Sequence, residues 1–175
     1  SENLEALEKG IPNLLRHVSN IKNVYKLPAV VAVNRFPTDT DAEVELIIEK
    51  CKALGVNVVL SNVWAEGGKG GEELAKAVVE LCEQPKDFTF SYELDGTIED
   101  KIEAIVKKVY GGDGISVLPS AKKQIASLTA MGFDKLPVCV AKTQYSFSDD
   151  ATKLGAPENF TVTVKNLKVS AGAGF

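Results

Sequence analysis

Two apolar runs on either side of one strongly signalled helix constrain the fold of this chain more than any other feature. Residues 28–33 and 56–60 are almost continuously apolar, which is typical of strands buried on both faces of a parallel sheet. Between the runs, Thr40 and Glu43 are spaced as a capping box at the start of an amphipathic helix. Strand, helix and strand in this order predict a βαβ unit over residues 28–61, with a right-handed crossover.

Further elements are predicted on both sides of a polar break near residue 86. Amphipathic helices are expected over residues 3–23 and 71–82, with the βαβ unit between them. Beyond the break we predict helices that begin at Thr97 and Ser120, and strands at 88–92, 136–141 and 159–169. The fold class is therefore α/β: residues 1–86 form a mostly parallel sheet with flanking helices, and residues 87–175 form a smaller α+β segment.

Composition and charge exclude several function classes. The 175 residues carry 20 Lys+Arg and 24 Asp+Glu, a net charge of -4, which argues against binding to nucleic acid or to a membrane surface. No apolar stretch approaches the roughly 20 residues that span a bilayer, so we expect no membrane contact and a cytoplasmic location. The single histidine, His17, and three widely spaced cysteines indicate no metal site and favour reduced, buried thiols.

The two ends of the chain resemble cut points rather than natural termini. The sequence begins almost inside the first predicted helix and stops on a run of small residues, 170–175, that leads into Phe175. This pattern predicts that the 175 residues are a segment of a longer protein.

Two aromatic residues follow neighbouring strands of the predicted sheet. Phe36 comes shortly after the first strand and Trp64 shortly after the second, so both leave the carboxyl edge, where parallel α/β sheets bind ligands. Two aromatic rings on adjacent loops can hold a flat, conjugated ligand between them, and each stacked pair contributes about 0.5 to 1.5 kcal/mol. The alternative is that Phe36 and Trp64 cover the hydrophobic core.

Other residues near strand ends carry weaker signals. Asn34 and Arg35 follow the first strand directly, and the polar stretch after the third predicted strand contains Lys142, Thr143 and Gln144. These side chains suit polar ligand contacts, although an ordinary hydrogen-bonded loop explains the polar stretch equally well. The glycine-rich residues 67–71 precede a helix but do not have the Walker spacing, which favours a mobile turn over a phosphate loop.

Four blocks of sequence closely resemble formate-tetrahydrofolate ligase, also called formyltetrahydrofolate synthetase. They are residues 32–40 (AVNRFPTDT), 60–68 (LSNVWAEGG), 136–146 (LPVCVAKTQYS) and 170–175 (SAGAGF). The resemblance covers essentially the whole chain, and the blocks occur in the family's order and at its spacing. In the family, this stretch lies in the C-terminal half of the enzyme.

The resemblance implies a ligase of one-carbon metabolism. In the family, formate and ATP give formyl phosphate, whose formyl group passes to tetrahydrofolate to give 10-formyltetrahydrofolate, with ATP, Mg²⁺ and a monovalent cation as cofactors. It further implies that Phe36 and Trp64 stack on the pterin ring, with Pro37 and Leu60 lining the same slot. The family's phosphate-binding loop lies upstream of the stretch that this chain resembles. We therefore expect no catalytic residue and no activity in the isolated chain, whereas the full enzyme is expected to be a homotetramer.

Two other functions remain open at this stage. The chain could be a non-catalytic α/β module that binds a protein partner through the edge carrying Phe36 and Trp64. It could also be a domain that holds the adenine ring of a nucleotide between the same two aromatics.

Overall fold

The computed structural model of the protein describes residues 2–140 and 147–175. The predicted ligand contacts Lys142, Thr143 and Gln144 lie outside the described residues. The chain forms two compact units, one ending at Thr89 and the other beginning at Phe90.

Helices dominate both units. The α-helices are α1 (Leu4–Ser19), α2 (Asp41–Lys52), α3 (Val63–Glu66), α4 (Glu72–Glu83), α5 (Ile98–Ile105) and α6 (Pro119–Ala130). Single π-helical turns follow α1 and α5, at Asn20–Val24 and Val106–Tyr110, and 3-10 turns lie at Gly67–Gly71, Phe133–Lys135 and Ala171–Ala173. The strands are β1 (Val30–Asn34), β2 (Asn57–Ser61), β3 (Gly114–Val117) and β4 (Thr161–Val164).

The first unit contains the predicted βαβ arrangement. Strands β1 and β2 are parallel and in register from Val30 opposite Asn57 to Asn34 opposite Ser61, with α2 between them in the chain. The capping box at the start of α2 is complete, because the Thr40 backbone N–H donates to Glu43 Oε2 at 3.0 Å and the Glu43 N–H donates to Thr40 Oγ1 at 3.3 Å. The fold class and the position of this unit are therefore confirmed.

The strands of the first unit are less buried than expected. We predicted burial on both faces, but every residue of β1 is half-buried or exposed, and Ser61 is the one buried residue of β2. The reason is that β1 and β2 make a sheet of two strands among the described residues. Within residues 2–140 and 147–175 each strand therefore pairs on one side only, whereas continuous apolar strands are typical of larger parallel sheets covered on both faces.

The second unit contains another parallel pair, β3 and β4, with α6 between them in the chain. Its core is the apolar stripe of α5 and the following π-turn, Ile98, Ile102 and Val106, which are almost completely buried. Residues spaced by four lie on one face of a helix, so this stripe follows from the sequence. The half-buried side chains packed against it come from the strands, α6 and the segment around Val138.

Two predicted strands of the chain are absent from the described residues. Residues 88–92 and 136–140 are assigned to no strand. At Val138 the backbone N–H donates to the Tyr92 hydroxyl at 2.8 Å, and the same hydroxyl donates to the Val138 carbonyl at 3.0 Å. At Leu136 the carbonyl accepts from Lys101 Nζ at 3.1 Å. The side chains of Tyr92 and Lys101 thus form hydrogen bonds with backbone groups that would pair with a neighbouring strand in a sheet.

The cysteines also depart from expectation. All three are free thiols, but Cys82 and Cys139 are exposed and Cys51 alone is buried. Burial raises the pKa of the Cys51 thiol.

Candidate functional site

The carboxyl edge of the first sheet brings the two predicted aromatic residues together. Asn34, the last residue of β1, pairs with Ser61, the last residue of β2, and the Arg35 N–H continues the ladder by donating to the Ser61 carbonyl at 3.2 Å. Phe36 and Trp64 follow within three residues of these strand ends. Their ring centroids are 6.3 Å apart and their planes are inclined at 51°.

Both rings are open to solvent. Phe36 is 44% exposed and Trp64 is 64% exposed, so neither side chain covers the core of the unit. Large exposed aromatic side chains in contact with each other at a sheet edge are typical of binding surfaces. The exposure therefore favours ligand binding over the alternative that these residues cover the core.

In this structure the two rings contact each other directly. A flat ligand between two parallel rings needs about 7 Å between their planes, twice a carbon contact distance of about 3.5 Å. The observed separation of 6.3 Å and the tilt of 51° leave no such slot. Because both side chains are exposed, rotation about their side-chain bonds opens the gap without disturbing the core.

The loop that carries Phe36 is a tight turn over residues 36–39. Pro37 occupies its second position, where the fixed φ of proline favours a turn. The Asp39 N–H donates to the Phe36 carbonyl at 3.0 Å, and the Phe36 N–H donates to Asp39 Oδ2 at 2.8 Å. Arg35 Nη2 donates to Asp41 Oδ1 at 2.6 Å and to the Asp39 carbonyl at 3.4 Å. Arg35 therefore binds to its own loop in this structure.

Trp64 is positioned differently. It lies in the short helix α3, and the glycine-rich turn follows that helix. The Asn62 N–H donates to the Gly70 carbonyl at 3.0 Å, and a Cβ at Gly70 would lie 2.5 Å from the Asn62 carbonyl atoms. Only glycine allows this approach. Gly70 thus packs against Asn62 and supports α3, whereas Gly67 and Gly68 have open space around them. The mobility of this turn stays a prediction.

The other predicted site residues are more dispersed. Pro37 and Asn34 are exposed beside Phe36 at the same edge. Leu60 is half-buried and lines a groove of about 520 Å³ between β2 and α4. Neither Phe36 nor Trp64 lines that groove. Sequence reasoning missed Asp39 and Gly70, and the one signal for Asp39 was its position at the end of a proline turn.

The described residues contain no arrangement of three His, Cys, Asp or Glu side chains that could hold a metal ion. His17 is an exposed residue of α1. In the same part of the chain, no helix has both the length and the apolar character of a membrane span.

Comparison with known protein families identifies the chain. The family model described as formate–tetrahydrofolate ligase matches residues 1–175, the whole sequence. The match includes the strand ends and loops that carry Phe36 and Trp64. The chain therefore belongs to the formate–tetrahydrofolate ligase family.

Proposed function

We propose that this chain supplies the pterin-binding surface of a ligase that joins formate to tetrahydrofolate. The observation that carries the proposal is the exposed contact between Phe36 and Trp64 at the carboxyl edge of a parallel sheet, in a chain of this family. The pterin of tetrahydrofolate is a flat, partly conjugated ring that suits a gap between two aromatic faces. In the proposed reaction, ATP phosphorylates formate, and the resulting formyl phosphate transfers its formyl group to tetrahydrofolate with release of phosphate.

Phe36 and Trp64 are the stacking residues in this proposal. Pro37, exposed in the turn after Phe36, extends the apolar surface, and Asn34 offers an amide at the same edge. Leu60 contributes only if the ligand reaches the groove beside β2. The two stacked faces together contribute about 1 to 3 kcal/mol beyond the area they bury, so the isolated surface is expected to bind folates weakly.

Among the described residues, the glycine-rich turn and the start of α4 do not fit the phosphate groups of ATP. The glycine-rich turn is closed against Asn62, and the helix that follows begins with Glu72 and Glu73, whose carboxylates would repel phosphate. We propose that ATP, Mg²⁺ and the monovalent cation are bound by parts of the enzyme other than this chain. The 175 residues alone are accordingly expected to catalyse no formyl transfer, and homotetramer formation belongs to the complete enzyme.

Fluorescence of Trp64, the one tryptophan in the sequence, tests the proposal. We expect saturable quenching when a stable tetrahydrofolate analogue is added, and loss of that quenching in Phe36→Ala. The matched control is Phe88→Ala, because Phe88 is also half-exposed and lies in the same unit. A free tryptophan derivative, titrated in parallel, corrects for light absorbed by the ligand.

The two alternative functions give different results in the same titration. Quenching by ATP without any effect of the folate analogue indicates an adenine-binding domain. No response to either compound contradicts the pterin site and leaves the protein-binding module.

A further inference from the structure

Phe36 and Trp64 differ in what holds their backbones in place. Trp64 lies within α3, where the Ala65 and Glu66 N–H groups both donate to the Asn62 carbonyl. Phe36 lies outside any helix or strand and is 44% exposed, so neither a backbone ladder nor core packing fixes its direction. The position from which the Phe36 ring projects therefore depends on the turn that contains it.

Asp39 forms two hydrogen bonds that stabilise this turn. Its backbone N–H binds the Phe36 carbonyl at 3.0 Å, and its carboxylate accepts from the Phe36 N–H at 2.8 Å. A hydrogen bond to an ionised acceptor is stronger than one between neutral groups. Both polar groups of the Phe36 backbone are thus engaged by a single residue three positions later.

The neighbouring ion pair contributes less. Arg35 reaches Asp41 Oδ1 at 2.6 Å, but the Asp41 side chain is 81% exposed. Ion pairs with a solvated partner contribute little, because water and salt screen them and two long side chains must be ordered. The ion pair of Arg35 and Asp41 therefore adds little to the stability of the loop. The hydrogen bonds that fix the Phe36 backbone come from Asp39.

We propose that Asp39 is a positioning residue for the aromatic site: its carboxylate fixes the backbone from which the Phe36 ring projects towards Trp64, so that rotation of the side chains opens a gap for a flat heteroaromatic ligand. The inference rests on the proposed function for the identity of the ligand, but not for the geometry of the two rings. Asp39 itself is not expected to touch the ligand.

Three variants of the 175-residue chain test this role. Asp39→Ala removes the acceptor, Asp39→Asn keeps a side-chain carbonyl at the same distance, and Asp87→Ala removes an exposed aspartate elsewhere in the same unit. The first readout is the NOE cross-peak between the ring protons of Phe36 and Trp64 in the absence of ligand. The second is the Kd of a tetrahydrofolate analogue, and far-UV circular dichroism checks that each variant is folded.

We expect Asp39→Ala to lose the cross-peak and to bind the analogue about tenfold more weakly. Asp39→Asn is expected to keep the cross-peak and most of the affinity, and Asp87→Ala to match the wild type. If Asp39→Ala does not fold, Asp39→Glu replaces it, because one extra methylene displaces the carboxylate while keeping its charge.

The outcomes separate the two proposals. An unchanged cross-peak and an unchanged Kd in a folded Asp39→Ala or Asp39→Glu overturn the positioning role. Loss of the cross-peak in a chain whose wild type does not bind the analogue supports the positioning role and contradicts the proposed function.

Discussion

Two pairs of aromatic rings, one in each unit, have almost the same geometry and opposite surroundings. Phe36 and Trp64 lie 6.3 Å apart at 51°, and Tyr110 and Phe147 lie 6.4 Å apart at 46°. Phe147 is only 5% exposed, whereas the rings of the first pair are 44% and 64% exposed. The contact between two rings therefore does not reveal its role, and burial is what distinguishes the core pair from the proposed ligand site.

The same contrast extends to the cores around the pairs. Tyr110 packs against the buried stripe of Ile98, Ile102 and Val106, so the second unit uses its rings for stability. In the first unit, Phe36 and Trp64 lie at the edge of a two-stranded sheet and are themselves exposed. We expect substitutions in the second pair to change unfolding and substitutions in the first pair to change binding.

The largest effect is expected for Phe147→Ala. Removing a buried phenylalanine leaves a cavity and typically costs about 3–5 kcal/mol of unfolding free energy. Urea unfolding followed by far-UV circular dichroism measures the loss. Folate binding is expected to persist as long as the first unit remains folded. A loss below about 1 kcal/mol would show that burial does not separate the two pairs.

Lys101→Met is expected to have the next largest effect. Lys101 is completely buried in the second unit and donates from Nζ to the carbonyls of Asp134 and Leu136 at 2.6 and 3.1 Å. Methionine leaves both carbonyls without this donor, which costs about 1–3 kcal/mol. Lys108→Met, at an exposed position of the same segment, is the control. Equal stability of the two variants would contradict this role.

Alkaline pH provides a second readout for Lys101. Burial lowers the pKa of its ammonium group, and the charge of Lys135 acts in the same direction. The charged form is therefore costly in the folded state, and this cost is relieved as the pH rises from the folded pKa towards the unfolded value of about 10.4. The stability difference between wild type and Lys101→Met should widen over that range. A difference that stays constant would contradict the pKa shift.

Smaller effects are expected at the two helix caps, where the units behave alike. Thr40 and Thr97 each form a complete capping box, with Glu43 and Asp100 respectively. Replacing either threonine by alanine should cost about 1 kcal/mol of unfolding free energy. Urea unfolding of the two variants measures this cost, and a loss in one variant alone would show that the caps are not equivalent.

The caps also predict a shared sensitivity to acid. Hydrogen bonds from the Thr40 and Asn3 backbones lower the pKa of Glu43, and those from the Thr97 side chain and backbone lower the pKa of Asp100. Their stabilising contribution is present above the unfolded pKa values of about 4 and is lost as the pH falls through the lower folded values. Acid titration of Thr97→Ala should show a weaker dependence than the wild type, because the Thr97 side chain is the largest cause of the shift at Asp100. Thr40→Ala keeps the backbone N–H groups that lower the pKa of Glu43 and should change the dependence less. An equal dependence would assign the acid sensitivity to other carboxylates.

Local patterns predicted the parts of the fold that depend on nearby residues. The capping box at Thr40, the cap residue Thr97 and the apolar runs around α2 led directly to the helices and to the β1–β2 pair. Residues 136–140 have the same apolar pattern, yet Tyr92 and Lys101 bind their backbone groups from more than 30 positions away. No local pattern contains that information. Strand β3 was missed because its four residues directly follow a glycine-rich turn, whereas β4, equally short, lies within a longer alternating run.

The candidate site, like the fold, was predictable only in part. Phe36 and Trp64 could be found because parallel strands end at one edge of a sheet, so the order of elements alone places them together. The hold of Asp39 on Phe36 and the close approach of Gly70 to Asn62 depend on the shape of two loops. Loop shape is a tertiary property, and composition alone suggested only a turn.

The most direct test of the account combines stability and binding in Phe36→Ala. We predict that its unfolding free energy stays within about 1 kcal/mol of the wild type, because the ring is half-exposed, whereas the affinity for a tetrahydrofolate analogue falls at least about tenfold. A loss of 3 kcal/mol or more in unfolding free energy, with unchanged affinity, would show that Phe36 is a core residue and would contradict the account.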